Sequence, residues 1–364
     1  MKRILLTYLA LVIYISTSLA SEKTSVTTEK KFDAGEMITE HISDSHDWHI
    51  IGEGEDAISI PLPIIVYSKA KGFDCFLSSR FEHGHTTYKG YKLEENKIAA
   101  AEEVGVEEEN TIEGAKNSSS NDIYDFSITK NVLTVFFIVT LMLWMFISVA
   151  NSYKKSPGQA PKGLQSFIEP LIIFIRDDVA KTSIGEKNYM RFMPYLLTVF
   201  FFILIGNLLG LIPFMPGGAN LTGNIAITMS LAVITFLITL VNGKKDYWRH
   251  IFAMPGVPVG ILVLLTPIEI MGMFLRPFVL MIRLFANITA GHIIALSFFS
   301  LIFIFGEMNQ GLGIGVSVVS VAFTVFMGMM ELLVAFLQAY VFTLLSAIYF
   351  GSAVEEHHHA EEHH

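Results

Sequence analysis

The sequence predicts an all-α polytopic membrane protein with about five transmembrane helices, the last two forming a long tilted hairpin, plus a small exported N-terminal segment with some β structure. Three observations point there. Only 16% of the 364 residues are charged and 52% are hydrophobic, whereas a soluble domain averages about 25% charged. The charge is also segregated: residues 192–243 contain no Asp, Glu, Lys or Arg, while residues 94–113 hold eight Glu and one Lys. Finally, five apolar stretches are long enough to cross a hydrocarbon layer of about 30 Å.

Composition excludes several functions. A net charge of −9 without clustered Lys and Arg argues against nucleic acid as a partner, because phosphate binding needs concentrated positive charge. Cys75 is the single cysteine, which rules out an internal disulfide and cysteine-based zinc or iron-sulfur centres. The chain has no glycine-rich phosphate loop, so no nucleotide site, cofactor or metal is expected.

Taken in order, residues 1–20 have the form of a secretory signal. Lys2 and Arg3 precede an apolar stretch, Ile4 to Ile15, and Ser18-Leu19-Ala20 offers small residues for cleavage after Ala20. The apolar core is short for a membrane span. Residues 21–130 follow as an exported extension. Its runs Ala57 to Tyr67 and Thr86 to Leu93 are rich in β-branched and aromatic residues, and Pro61 and Pro63 should confine the first to a sheet edge. Lys97 to Asp122, with its glutamates, is expected to be a disordered linker. His41, His46, Asp47, His49, His83 and His85 match no defined metal spacing and are expected to be solvated.

The membrane domain is expected over residues 131–354. Its spans are Asn131 to Ala150, Pro194 to Ile212, Ile225 to Val241, a region from about Val257 to Phe305, and another from about Ile314 to Phe350. Lys154, Lys155, Lys162, Lys181, Lys187, Arg191, Lys244, Lys245 and Arg249 flank the first three spans on one side, which the positive-inside rule assigns to the cytoplasm. Between the first two spans, Leu164 to Ile175 and the Arg176-Asp177-Asp178 that follows suit an interfacial helix. The last two regions are too long for simple spans. Forty-nine residues extend about 73 Å as a helix, so the helices must tilt or curve, with breaks near Pro267 and Pro277. Asn309-Gln310-Gly311 and Gly313 mark the turn between them. The tail, residues 355–364 (EEHHHAEEHH), suits a solvated cytoplasmic terminus.

Ionisable residues are few in the last two spans, and each costs at least about 2.5 to 3.5 kcal/mol at mid-membrane. Glu269, Arg276 and Arg283 are spaced by seven and form one stripe, since a heptad drifts only about 20° on a straight helix. Asn287 stays near that stripe, whereas His292, nine residues past Arg283, lies half a turn away. Taking residue 311 as the turn centre, His292 is 19 residues before it and Glu331 is 20 after. An antiparallel hairpin then sets the two at one depth. They could lock the hairpin as a hydrogen-bonded pair or hand on a proton. Gln338, seven after Glu331, shares its face and could serve as a plain interhelical hydrogen bond.

Arg283-Leu284-Phe285-Ala286-Asn287 with Ala290-Gly291 resembles the signature of subunit a of the F-type ATP synthase. The likeness extends over about residues 130–354, through APKGLQSFIEP, LIGNLLGLIP, GNIAITMSLA, TPIEI with FLRPF, and LQAYVFTLLSAIYF. What it implies is a stator subunit with two aqueous half-channels against a rotating ring of c subunits. By the same resemblance, Arg283 faces the ring carboxylates and Glu269 belongs to the cytoplasmic half-channel. His292 and Glu331 belong to the outer one, with Asn287, Gln338 and Asn224 as further polar positions. Many bacterial members carry Glu where this chain has His292 and His where it has Glu331; the exchange keeps a His-carboxylate pair. The implied partners are c-ring subunits, peripheral-stalk b subunits, other synthase subunits and membrane lipid. The implied location is the bacterial inner membrane with the N-terminus exported and the C-terminus cytoplasmic. The titratable pair favours H⁺ over Na⁺.

A secondary cation/proton antiporter is the alternative, although no convincing internal repeat is present. An intramembrane protease lacks His-Glu-x-x-His spacing and a serine elbow. A passive membrane anchor leaves the Arg283 stripe without a reason.

Overall fold

The computed structural model describes Gly35 and residues 43–51, 58–69, 72–84, 86–94, 96–100, 123–155, 160–212, 218–254 and 257–355. The expected signal over residues 1–20, most of the expected acidic linker and the His/Glu-rich residues 356–364 lie outside the described residues.

The N-terminal part is a small β unit. Strands β1 (Asp47–Ile51) and β2 (Ile58–Pro61) pair antiparallel. Strands β3 (Pro63–Ser68), β4 (Gly72–Leu77) and β7 (Ile123–Asp125) form a sheet in the order β4-β3-β7. Strands β5 (Tyr91–Glu94) and β6 (Lys97–Ala100) make a hairpin. Ile64 and Val66 alternate inward from β3 and pack on Phe81 and Tyr91.

Three expectations fail here. The run 57–67 is two strands in two sheets, and its second half is central rather than an edge, because Pro61 closes β2 and Pro63 opens β3. A proline at a strand end removes no ladder bond that the strand needs. The expected linker begins four residues early, since Lys97–Ala100 is strand. His46 is not solvated: it is buried, with Nε2 3.2 Å from Asp125 Oδ2. Burial disfavours the Asp125 charge, yet hydrogen bonds from His46 and Ser127 outweigh it and hold that carboxyl below its ordinary range.

The β unit is bolted to the first membrane helix, α1 (Lys130–Lys155). Asp44, far away in sequence, accepts from the Asn131 backbone N–H at 3.1 Å and the Thr129 hydroxyl at 2.9 Å, and Lys130 N–H donates to Ser45 O at 2.9 Å. A carboxylate at a helix N-terminus meets orphan N–H groups and the positive end of the helix dipole.

Next come α2 (Leu164–Phe174), a π-helical continuation Ile175–Lys181, and a last turn Thr182–Ile184. Asp177 sits between Arg176 and Lys181 at 2.8 and 2.7 Å, and their hydrogen bonds hold its carboxyl far below the usual range. Helix α3 (Tyr189–Gly210) is the most enclosed span, and its Phe200 and Ile203 anchor a core shared with α1 and with α7 (Gln310–Val354). Helix α4 (Ile225–Asn242) is tied to α3 by Tyr195 Oη and Thr235 Oγ1, 2.7 Å apart. The basic segment after it folds into a short helix, α5 (Lys245–Phe252).

Helix α6 (Val259–Met308) runs unbroken through Pro267 and Pro277, against the expected breaks. A membrane helix tolerates proline where neighbouring groups meet the carbonyl it frees. Fifty residues extend about 75 Å, and α6 packs on α7 more extensively than any other pair of elements. The turn between them is a single residue, Asn309, whose side chain accepts from Gly311 N–H at 2.8 Å and so caps α7. At the tip the helices nearly touch: a methyl group on Gly313 would stand 2.7 Å from the Gly306 Cα. Among the described residues, five helices are long and apolar enough to cross a membrane.

Candidate functional site: two faces of helix α6

Arg283 lies at the middle of α6, 24 residues from its start and 25 from its end. Its side chain is exposed, as are those of Ala286, Asn287 and Ala290 on the same face. A long cation followed by alanines leaves room for another helix backbone to approach closely. The rest of the predicted stripe behaves differently. Arg276 is half-buried, with its guanidinium 5.8 Å from the centre of the Tyr349 ring of α7, a cation-π contact. Thr235, Thr239, Tyr247, Arg276 and Tyr349 line a narrow cleft where α4, α5, α6 and α7 meet. Tyr247 lies within electrostatic range of both Arg276 and Glu269, which is half-buried. The heptad stripe is therefore bare at Arg283 and covered toward the start of the helix.

The side of α6 a quarter to a half turn from Arg283 looks into the protein. The Glu331 carboxylate of α7 packs on Gly291: a methyl there would meet Oε1 at 2.9 Å and Cγ at 3.2 Å. Glu331 Oε1 is buried without a hydrogen-bond partner among the described residues. His292 points to the end of α3, where a methyl on Gly210 would come 3.9 Å from its Nε2. One turn deeper, buried Asn207 of α3 accepts from Thr222 Oγ1 at 2.5 Å and donates to the Ala335 carbonyl of α7 at 3.4 Å. Gln338, three residues past Ala335, is buried as well. The end of α3, the loop that follows it and the interiors of α6 and α7 thus contribute an imidazole, a carboxylate, an amide and a hydroxyl to this side of the bundle.

Asn224 stands apart from this group. Its side chain accepts from Ala226 N–H at 2.9 Å and caps α4. Two participants were missed in the sequence. Asn207 was legible as an amide within an uncharged span, but only the fold shows that it bridges to α7. Tyr349 carried no signal at all, because a tyrosine near a helix end is equally at home in an interfacial belt.

This geometry defines a class: a polytopic helical membrane protein that holds ionisable groups within its spans on two faces of one helix. Residues 132–351 match the family described as ATP synthase A chain, and residues 37–126 match a family described as Domain of unknown function (DUF8433). "ATP synthase subunit a" of Chloroherpeton thalassium is 44% identical over 247 residues, covering 66% of this chain and 71% of that one. "ATP synthase subunit a 2" of Chlorobaculum tepidum is 47% identical over 246 residues, 66% of each chain. "ATP synthase subunit a" of Chlorobium phaeobacteroides is 46% identical over 245 residues, covering 65% of this chain and 69% of that one. The chain belongs to the ATP synthase A chain family. That membership makes it a multi-pass subunit on the stator side of the membrane sector, acting in proton transport and ATP synthesis.

Proposed function

We propose that this chain forms two half-channels that do not meet, one on each side of Arg283, and that Arg283 faces the carboxylates of a rotating c-ring. The observation that carries this is the division of α6. An always-charged guanidinium stands exposed at mid-helix, where lipid alone would be a costly neighbour. The titratable His292 lies half a turn away, toward the end of α3, and Glu331 of α7 packs on its neighbour Gly291.

A proton from the outer side passes the His292 and Glu331 region, with Asn207, Gln338 and Asn224 along the way. It neutralises a ring carboxylate, travels with the ring, and leaves near Glu269. Between the two paths Arg283, with Asn287 one turn on, stabilises the deprotonated carboxylate and repels a proton that would cross directly. The transmembrane potential supplies about 2.3 kcal/mol per charge per 100 mV.

The same proposal divides the chain into a signal over 1–20, an exported extension over 21–130, a membrane domain over 131–354 and a cytoplasmic tail over 355–364. It places the chain in a bacterial inner membrane beside c and peripheral-stalk b subunits, with H⁺ as the ion.

ATP-driven proton pumping in inverted vesicles tests it, with hydrolysis recorded in the same samples. Arg283→Ala should abolish pumping while the complex still assembles. Undiminished pumping would make Arg283 structural.

A further inference from the structure

The β unit carries an apolar surface that the membrane function does not use. In the β4-β3-β7 sheet, Ile64 and Val66 face the core, so the alternate residues point away from it. The register sets Phe73, Tyr67 and Tyr124 in one row across the three strands. The rings of Phe73 and Tyr124 lie 4.8 and 6.3 Å from that of Tyr67. The next row is Cys75, Ile65 and Phe126, the last joined by Phe126 N–H to Ile65 O at 2.8 Å. Beyond it Leu77 stands opposite Pro63. No row contains a charge. Phe73 is 73% exposed, Phe126 60% and Leu77 49%, so nothing among the described residues covers the face. It measures about 14 Å along the strands and about 10 Å across them, and a contiguous apolar patch marks an interaction surface.

The continuity of this face with a membrane helix identifies its occupant. The strand that carries Tyr124 and Phe126 runs on into α1 at Lys130, and Ile128 N–H donates to Pro63 O at 3.0 Å, so the ladder persists almost to the helix. Asp44 and Ser45 fix that junction through Thr129, Lys130 and Asn131. A flexible tether would let the sheet drift into water; a bonded one holds it beside the bilayer surface. Phenylalanine with tyrosine, an apolar body with a polar tip, suits the headgroup boundary. We propose that the Phe73, Tyr67 and Tyr124 face of the sheet rests on the lipid leaflet at the N-terminal end of α1 and anchors the β unit to the membrane surface.

Cys75, exposed at the edge of the second row, is a native reporter. The full chain, labelled there with a polarity-sensitive fluorophore and reconstituted in phosphatidylcholine vesicles, should be quenched by lipids spin-labelled near the headgroup and shielded from aqueous iodide. Moving the label to the far side of the unit, with Cys75→Ser and Thr87→Cys, should reverse both results. Phe73→Asp with Tyr124→Asp should return the Cys75 label to iodide. Strong iodide quenching of wild type would overturn the proposal. So would shielding from both quenchers, which would mean that protein, such as a second copy of this chain, covers the face.

Discussion

Two faces of one helix do opposite things in this protein. On α6 the face of Arg283 and Asn287 is bare, bordered by Ala286 and Ala290, whereas Gly291, about a quarter turn away, packs against Glu331, and His292, half a turn away, points to the end of α3. The first presents a charge that cannot be neutralised; the second presents groups that can exchange a proton. What separates them is rotation about one axis together with about 13 Å along it. A continuous wire of titratable groups along one face would leak protons, and under the proposed function this separation is what would break it.

Changes on the bare face should have the largest effect. Arg283→Ala should lower coupled ATP synthesis about 100-fold or more, the scale of losing a preorganised charge in a water-excluded site; synthesis rates in energised vesicles check this. On the packed face, Glu331→Gln should slow proton flux about tenfold or more by removing a titratable group, measured as passive proton conductance of the membrane sector. His292→Glu together with Glu331→His should retain more flux than either single change, because the double exchange keeps one imidazole and one carboxylate at these two positions. Equal loss in all three variants would show that the two residues act separately.

Smaller effects should come from the framework. Asn207→Leu leaves the Thr222 hydroxyl and the Ala335 carbonyl without their partner and should cost about 1 to 3 kcal/mol of stability, read from denaturation in detergent. Asp125→Asn should leave proton flux unchanged and loosen only the β unit. The Asp125 carboxyl is held below its ordinary 3.8 in the folded state, so its contribution is present above that pH and is lost as pH falls through the depressed value. The protection factors of the β7 amides, with the intrinsic pH dependence of exchange divided out, should therefore fall in acid in wild type, and less so in the variant.

The sequence makes the spans and the hairpin legible because hydropathy over twenty residues averages out local detail. The depth match between the two arms is legible too. Counted from residue 311, Glu331 falls level with Gly291, and that is the glycine its carboxylate touches. Near the tip the count slips, since Asn309 alone makes the turn and Gly306 meets Gly313.

What pattern cannot supply is a contact between distant segments. Pro267 and Pro277 look like helix breakers until neighbouring helices are present to satisfy the backbone. His46 resembles any solvated histidine until Asp125, 79 residues on, reaches it. The equal spacing of Glu269, Arg276 and Arg283 suggests one uniform stripe. Only the packing of Tyr349 over Arg276 shows that one end is covered and the middle is bare.

The division of α6 can be tested most directly by cross-linking to a cysteine set beside the c-subunit carboxylate in the assembled complex, in a Cys75→Ser background. Ala286→Cys, next to Arg283 on the bare face, should form a disulfide with the c subunit under mild oxidation. Leu284→Cys, buried at 1% exposure toward α3 and α7, should not. Cross-linking through Leu284→Cys with none through Ala286→Cys would contradict the account, because the face turned to the rotor would then be the one assigned to the protein interior.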